Sequence, residues 1–382
     1  MPLRIAMVAG EASGDLLAAH LIRALKARLP DASFFGIGGP KMQAQGFDAI
    51  WSAERLAVHG YVDALKRYRE LSGIRSSLAK MILRDRPDVF IGVDAPDFNL
   101  GLEARLKKAG MTTIHFVSPS IWAWRGGRIE KIARSVSHML CLFPFEPALY
   151  ESRGIPVSYV GHPLADVLPM TPDREATREV LGLPDGQLIF ALLPGSRQSE
   201  ARNLGNLYID TVRLLAERHP EAQFLVPLAT RETMQIFAGA IDAAGARDLP
   251  IRLMHGHAWE AMTAADVVLV ASGTATLEAA LLKRPMVITY RIGRWQYRLM
   301  KRMAYLPWVG LPNILCNDGV VPELLQDDAT PEALADALDA WIADPDACER
   351  LAALFAELHE HLRQDTAARA ADAILPYLAG QA

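Results

Sequence analysis

Cysteine is scarce in this chain, with three in 382 residues: Cys141, Cys316 and Cys348. They are far apart and odd in number, so they suggest neither a disulfide framework nor a metal-ligand spacing, and they fit a reducing cytosol. A charge excess is also lacking. Forty Lys and Arg stand against 44 Asp and Glu, for a net charge of −4, which argues against a broad nucleic-acid-binding surface. No apolar run approaches the roughly 18 residues that would span a bilayer. Met1-Pro2-Leu3-Arg4 leads straight into a strand pattern without the parts of a leader, so no signal peptide is expected. No internal repeat and no low-complexity tract is visible. A soluble protein is expected, with contact to a membrane surface left open.

What is present is ordinary globular material, 51% hydrophobic and 22% charged. A chain of 382 residues is too long for one compact core, so two domains are the default. Short apolar runs alternate with helical patterns. Strand candidates in the first half are Arg4–Ala9, Ser33–Gly36, Val89–Val93, Thr112–Val117, Met139–Phe143 and Val157–Val160. In the second half they are Leu188–Leu193, Gln223–Val226, Ile251–Met254, Val267–Val270 and Met286–Tyr290. Most lack polar alternation, as strands covered on both faces do. The fold class expected is α/β, with two doubly wound Rossmann-like domains whose parallel sheets face a central cleft. The prolines of Leu168–Asp173 mark the linker. The expected division is 1–165, 166–345 and a helical tail 346–382 that packs back toward the first domain. Thr330 and Pro331 suit a helix start.

Ligands of such sheets bind beyond the carboxyl ends of the strands, so the residues that follow each strand carry the functional reading. Leu193-Pro194-Gly195-Ser196-Arg197 ends one strand and opens a helix. Free backbone N–H groups, Gly195 and Arg197 make it a phosphate seat. Ala271-Ser272-Gly273-Thr274 repeats that logic, and Glu278 follows either as a ribose acceptor or as a capping acid. Gly10-Glu11-Ala12-Ser13-Gly14-Asp15 follows the first strand, with a helix expected from near Leu16. It has neither P-loop nor dinucleotide-fingerprint spacing. Ser13, Gly14 and Asp15 suit a phosphate or sugar hydroxyls, or else simple capping.

Asp94 ends a buried strand and is placed to act as a general base. Asp97, three residues on, is either a helix N-cap or a second functional carboxylate. Trp122 and Trp124 either wall a binding site or pack a domain surface. His162 either reaches the cleft or satisfies a turn.

These segments together resemble lipid-A-disaccharide synthases, glycosyltransferases of the two-domain GT-B architecture. The resemblance rests on Val8–Asp15, Gly92–Asn99, Val117–Arg125, Leu193–Arg197, Ala271–Glu278 and Leu311-Pro312-Asn313, in the family's order across nearly the whole chain. Gly161–Asp166 matches more loosely. The resemblance implies transfer of 2,3-diacylglucosamine from UDP-2,3-diacylglucosamine to 2,3-diacylglucosamine 1-phosphate, with inversion, to a β-1,6 disaccharide and UDP. It implies no cofactor and no metal. It places Asn313 on the wall near the donor, and it implies peripheral association with the cytoplasmic face of the inner membrane. Two segments supply basic amphipathic candidates for that contact. Gly60–Leu83 carries Tyr61, Val62, Leu65, Leu71, Ile74 and Leu78 beside Lys66, Arg67, Arg69 and Arg75. Arg291–Leu311 carries Trp295, Tyr297, Tyr305 and Trp308 beside Arg294, Arg298, Lys301 and Arg302. Oligomeric state stays open, a homodimer included. The competing readings are another GT-B enzyme, such as a lipid-linked N-acetylglucosaminyltransferase, and a UDP-N-acetylglucosamine 2-epimerase. A non-catalytic nucleotide-sugar-binding module and, more remotely, an NAD-dependent oxidoreductase complete them.

Overall fold

The structure, a computed structural model, describes all residues except 1, 57–60, 123–125, 185, 294, 296, 299–301, 303–304 and 380–382, and does not describe the side chains of 54 and 61–68. The chain forms two compact units, Met1–Asp166 with His361–Ala382, and Val167–Glu360. The second crossing falls at 360/361, not at the 345/346 position expected. The helix Pro345–Leu362 starts at the expected division and runs on through 360/361, with its Leu351 and Phe355 buried. Leu168–Asp173 is irregular, and Asp173 then caps the helix Arg174–Leu181 by accepting from the Ala176 N–H at 2.9 Å.

The first unit holds β1 (Arg4–Ala9), β2 (Ser33–Gly38), β3 (Phe47–Ser52), β4 (Val89–Val93), β5 (Thr113–Phe116), β6 (His138–Cys141) and β7 (Val157–Tyr159). All pairings are parallel, in the order β3-β2-β1-β4-β5-β6-β7. The five residues of β4 are all buried, as a strand covered on both faces requires. Each such Val, Ile or Phe contributes roughly 1.5–3 kcal/mol through burial. The helix Thr366–Ala379 belongs to this unit: Ala370, Ala371, Ile374 and Leu378 join the core of β1 and the helix Ala12–Arg28, and Asp372 pairs with Arg28 at 2.6 Å.

The second unit holds β8 (Ile189–Leu193), β9 (Gln223–Leu228), β10 (Ile251–His255), β11 (Val267–Ala271), β12 (Met286–Tyr290) and β13 (Glu323–Leu325). It forms a parallel sheet in the order β10-β9-β8-β11-β12-β13. Two strands were not expected from the sequence. β3 alternates buried or half-buried residues with exposed ones and includes Asp48, while β13 has three half-buried residues. Neither presents the continuous apolar run that marks β4, β8 and β11.

In each sheet the strand order reverses once, between β1 and β4 and between β8 and β11. Successive crossovers there run to opposite faces, and the chain leaves both strands over an uncovered edge. The Gly10–Asp15 and Asp94 segments therefore adjoin at one reversal. The Gly195–Arg197 and Ser272–Thr274 segments adjoin at the other.

Candidate active site

In the first unit, a cavity of about 240 Å³ lies beyond β4 and β5, lined by Asp94, Val117, Ser118, Ser120 and Arg128 among others. Its wall is strained. Asp94 and Ala95 have φ of 52° and 45°, and Val117 has φ of 83°. A β-branched residue in that region is an outlier that costs on the order of 1–3 kcal/mol, and such strain gathers where function needs it. The fold holds the turn by backbone bonds: the Asp94 N–H donates to the Phe116 carbonyl at 2.8 Å, and the buried Asn99 Nδ2 donates to the Asp94 carbonyl at 2.8 Å. The half-buried Asp94 carboxylate has no partner among the described residues.

Asp97 is placed differently. Ala95, not Asp97, is the N-cap of the helix Pro96–Lys108, because two successive left-handed residues end the turn two residues earlier. Asp97 lies in the first helical turn, 82% exposed, and its carboxylate pairs with Arg128 at 2.7 Å.

The Gly10 turn lies close against Ala95: a Cβ on Gly10 would approach the Ala95 Cβ to 2.8 Å. The following helix begins at Ala12, not near Leu16, and runs to Arg28. Ser13 is exposed and Gly14 is buried at its start. Asp15 is buried, and its carboxylate accepts from the Gly39, Lys41 and Met42 N–H groups at 2.9–3.0 Å. That carboxylate anchors the start of the short helix Pro40–Gln43 and has little capacity left for a ligand.

Trp122 packs edge-on against Phe143 and Phe145, with centroids 6.2 and 5.3 Å away. Its indole N–H donates to Glu146 at 3.1 Å, whose other oxygen accepts from the Leu142 and Phe143 N–H groups. Burial pushes the Glu146 carboxyl up to about 7 against the pull of these donors. Trp122 thus ties the Ser118–Trp122 loop to the chain beyond β6. Trp124 lies outside the described residues. His162 is buried and stacks on Phe143 at 5.4 Å, and its Nδ1 accepts from the Leu164 N–H. Burial lowers its pKa to about 4, so at neutral pH the ring is an uncharged part of the fold.

In the second unit, a cavity of about 710 Å³ is walled by the chain leaving β8, β9, β10 and β11. Gly195 has φ of 103°, and a Cβ there would meet Glu200 Oε2 at 2.3 Å. Only glycine satisfies both demands. Glu200 accepts from the Arg197 N–H at 3.1 Å and holds its guanidinium at 3.3 Å, while the Arg197 side chain stays 76% exposed at the start of the helix Gln198–Arg218. Facing it, Ser272, Gly273 and Thr274 open the helix Thr274–Leu281. The two helix N-termini, an arginine and hydroxyl groups suit a diphosphate. Glu278 lines the same cavity. Burial raises its carboxyl pKa, opposed by the N–H of Trp259, which donates to Oε2 at 2.8 Å.

Asn313 is not on the cavity wall. It is 1% exposed, and its amide is committed to both polar backbone atoms of Val321 and to Glu323, each at 2.9 Å. Glu323 in turn accepts from the Val309 and Gly310 N–H groups, and the Val309 carbonyl receives the Ser272 hydroxyl at 3.1 Å. Asn313 therefore supports the loop that braces the Ser272 turn. Among the described residues no group of three or more His, Cys, Asp or Glu is placed to hold a metal ion.

Sequence reasoning missed Trp259, His257 and Glu260, which follow β10, and Pro227, Leu228 and Ala229 at the end of β9. The same strand-end rule points to them, since β9 and β10 are among the strand candidates, although in the second half only the turns after β8 and β11 carry the adjacent Gly and Ser of a phosphate seat. Glu146 gave no signal, because its importance comes from burial beside Trp122.

A family model described as lipid-A-disaccharide synthetase matches residues 5–375. The chain is 76% identical over 378 residues to a lipid-A-disaccharide synthase of Aromatoleum aromaticum, covering 99% of this chain and 97% of that one. It is 70% identical over 382 residues to the corresponding protein of an Azoarcus species, covering 100% and 98%. In fold it resembles a UDP-GlcNAc 2-epimerase from Neisseria meningitidis bound to UDP-GlcNAc, with TM-score 0.62, 12% identity and coverage of 99% and 100%. It also resembles MurG of Acinetobacter baumannii, with TM-score 0.57, 15% identity and coverage of 98% and 100%.

Proposed function

The chain belongs to the lipid-A-disaccharide synthase family, and from that premise we propose how its residues carry out one sugar transfer. The protein is a glycosyltransferase with the GT-B fold. The second unit takes UDP-2,3-diacylglucosamine and the first takes 2,3-diacylglucosamine 1-phosphate. Asp94 accepts the proton of the acceptor 6-hydroxyl as that oxygen bonds to the donor's anomeric carbon. The bond from that carbon to the diphosphate breaks, and its electron pair leaves with UDP. One displacement inverts the centre and gives a β-1,6 linkage. Arg197, the N–H groups of Gly195 and Ser196, and the Ser272–Thr274 turn stabilise the charge that builds on the diphosphate. Glu278 accepts from the ribose. Ser13 and Gly14 border the acceptor side, and Asp15, Trp122 and Asn313 support the walls.

The observation that carries this reading is the Asp94 carboxylate, unpaired among the described residues in a strained turn beside a cavity. It favours Asp94 over Asp97, which is exposed and already paired. The product tests it: a β-linked disaccharide is expected, and an α linkage would overturn single displacement. The epimerase-like solved structures speak for the fold alone at 12% identity.

Among the described residues no helix is long and apolar enough to cross a membrane. We place the protein peripherally at the cytoplasmic face of the inner membrane, through the second of the two candidate segments. In the first, Ile74 and Leu78 are buried in the first unit's core, so the sheet takes the face once offered to lipid. Tyr61, Val62, Leu65, Lys66 and Arg67 fall where side chains are not described. In the second, Trp295 and Tyr305 are 83% and 64% exposed, and the Arg298 guanidinium sits over the Trp295 ring at 5.5 Å. Exposed aromatics beside arginines suit an anionic interface. Arg294 and Lys301 lie outside the described residues. Removing both rings (Trp295→Ala with Tyr305→Ala) should weaken binding to anionic vesicles by about tenfold or more. Unchanged flotation with such vesicles would refute the placement.

A further inference from the structure

Trp259 is the second residue of the helix Ala258–Ala264 and lines the cavity of the second unit. It is 37% exposed. Its indole N–H donates to Glu278 Oε2 at 2.8 Å. The other oxygen, Oε1, has no partner among the described residues. A carboxylate bound at one oxygen is fixed about its last torsion, so the other is presented in one direction and loses little rotamer freedom when a ligand arrives. The remaining charged groups of the cavity do not compete for it. Arg197 is held by Glu200 at 3.3 Å, and His257 by Glu260 at 3.1 Å. The donor to Glu278 is therefore Trp259.

We propose that Trp259 is a positioning residue that makes the cavity prefer a ribonucleoside diphosphate over its dideoxy counterpart, by holding Glu278 with Oε1 free for a ribose hydroxyl. The inference rests on the reading of Glu278 as the ribose acceptor. Its geometry carries a second consequence. Burial raises the Glu278 pKa and the indole N–H opposes that rise. Without the N–H, the carboxyl stays protonated to higher pH, and a protonated carboxyl has less acceptor capacity for the sugar.

The test is calorimetric titration of UDP and 2′,3′-dideoxy-UDP into the full chain and into Trp259→Phe and Glu278→Gln, across the neutral pH range. Phe keeps the aromatic bulk and removes the donor. In Trp259→Phe, UDP should bind about fivefold to tenfold more weakly, with dideoxy-UDP nearly unchanged. As pH falls, UDP affinity should begin to drop at a higher pH than in the parent chain. Dideoxy-UDP serves as the control for folding. Equal weakening of both nucleotides, or an unchanged preference and pH midpoint, would overturn the role of Trp259. If Glu278→Gln loses the preference while Trp259→Phe keeps it, Trp259 alone is refuted. If Glu278→Gln keeps it, the ribose reading itself falls.

Discussion

Asp94→Asn is expected to lower kcat by about 10²–10⁴, the range a well-placed general base contributes, while UDP affinity and folding stay near those of the parent chain. Folding should survive for two reasons. The carboxylate of Asp94 has no partner among the described residues to lose, and asparagine tolerates the left-handed backbone at φ 52° as well as aspartate does. UDP affinity should survive because the nucleotide cavity is built from residues of the second unit. Asp97→Asn is the contrasting variant. It removes an exposed ion pair with Arg128, worth below about 1 kcal/mol, and should leave kcat within a few-fold. Steady-state kinetics with thermal melts separate the two aspartates. A well-folded Asp94→Asn variant with near-normal turnover would remove Asp94 from the chemistry.

Arg197→Ala should weaken UDP by about 10–100-fold, since hydrogen bonds to charged groups are worth roughly 1.5–3 kcal/mol. Arg197→Lys should fall between, because an ammonium keeps the charge but loses the fork that matches two phosphate oxygens. Little effect on stability is expected. The guanidinium is 76% exposed, and the Glu200 bond to the Arg197 backbone N–H stays in place. The loss should be smaller for uridine, which carries no phosphate. Calorimetry with UDP and uridine makes the comparison, and equal UDP affinity in Arg197→Ala would refute the diphosphate seat.

The parts of this molecule that were legible in its sequence share one physical cause. Strands of a doubly wound parallel sheet are buried on both faces, so β4, β8, β11 and β1 from Ile5 onward are unbroken apolar runs, and whatever follows them stands out. That is how Asp94, Gly195–Arg197, Ser272–Thr274 and Glu278 came into view. β3 is hidden because it alternates, and β13 because its Glu-Leu-Leu offers only two apolar residues in a row. Asn313 illustrates a different limit. The family resemblance of its Leu-Pro-Asn implies a cavity wall, but its amide is spent on Val321 and Glu323. Asp15 reads either as a phosphate or sugar partner or as a cap, and its carboxylate is committed to three backbone amides. In both, the side chain's partners lie outside its own segment, so only the folded chain reveals the commitment. The same holds for Glu146, whose raised pKa comes from burial that no local pattern records.

The central claim is sugar transfer between two lipid substrates without a metal ion. The most direct measurement is release of UDP by the purified full chain, given UDP-2,3-diacylglucosamine with and without 2,3-diacylglucosamine 1-phosphate, in the presence and absence of chelator. The account predicts release only when both lipids are present, matched by disaccharide formation and unaffected by chelator. Release of UDP or rearrangement of the donor sugar without the acceptor, or loss of activity on chelation, would contradict it.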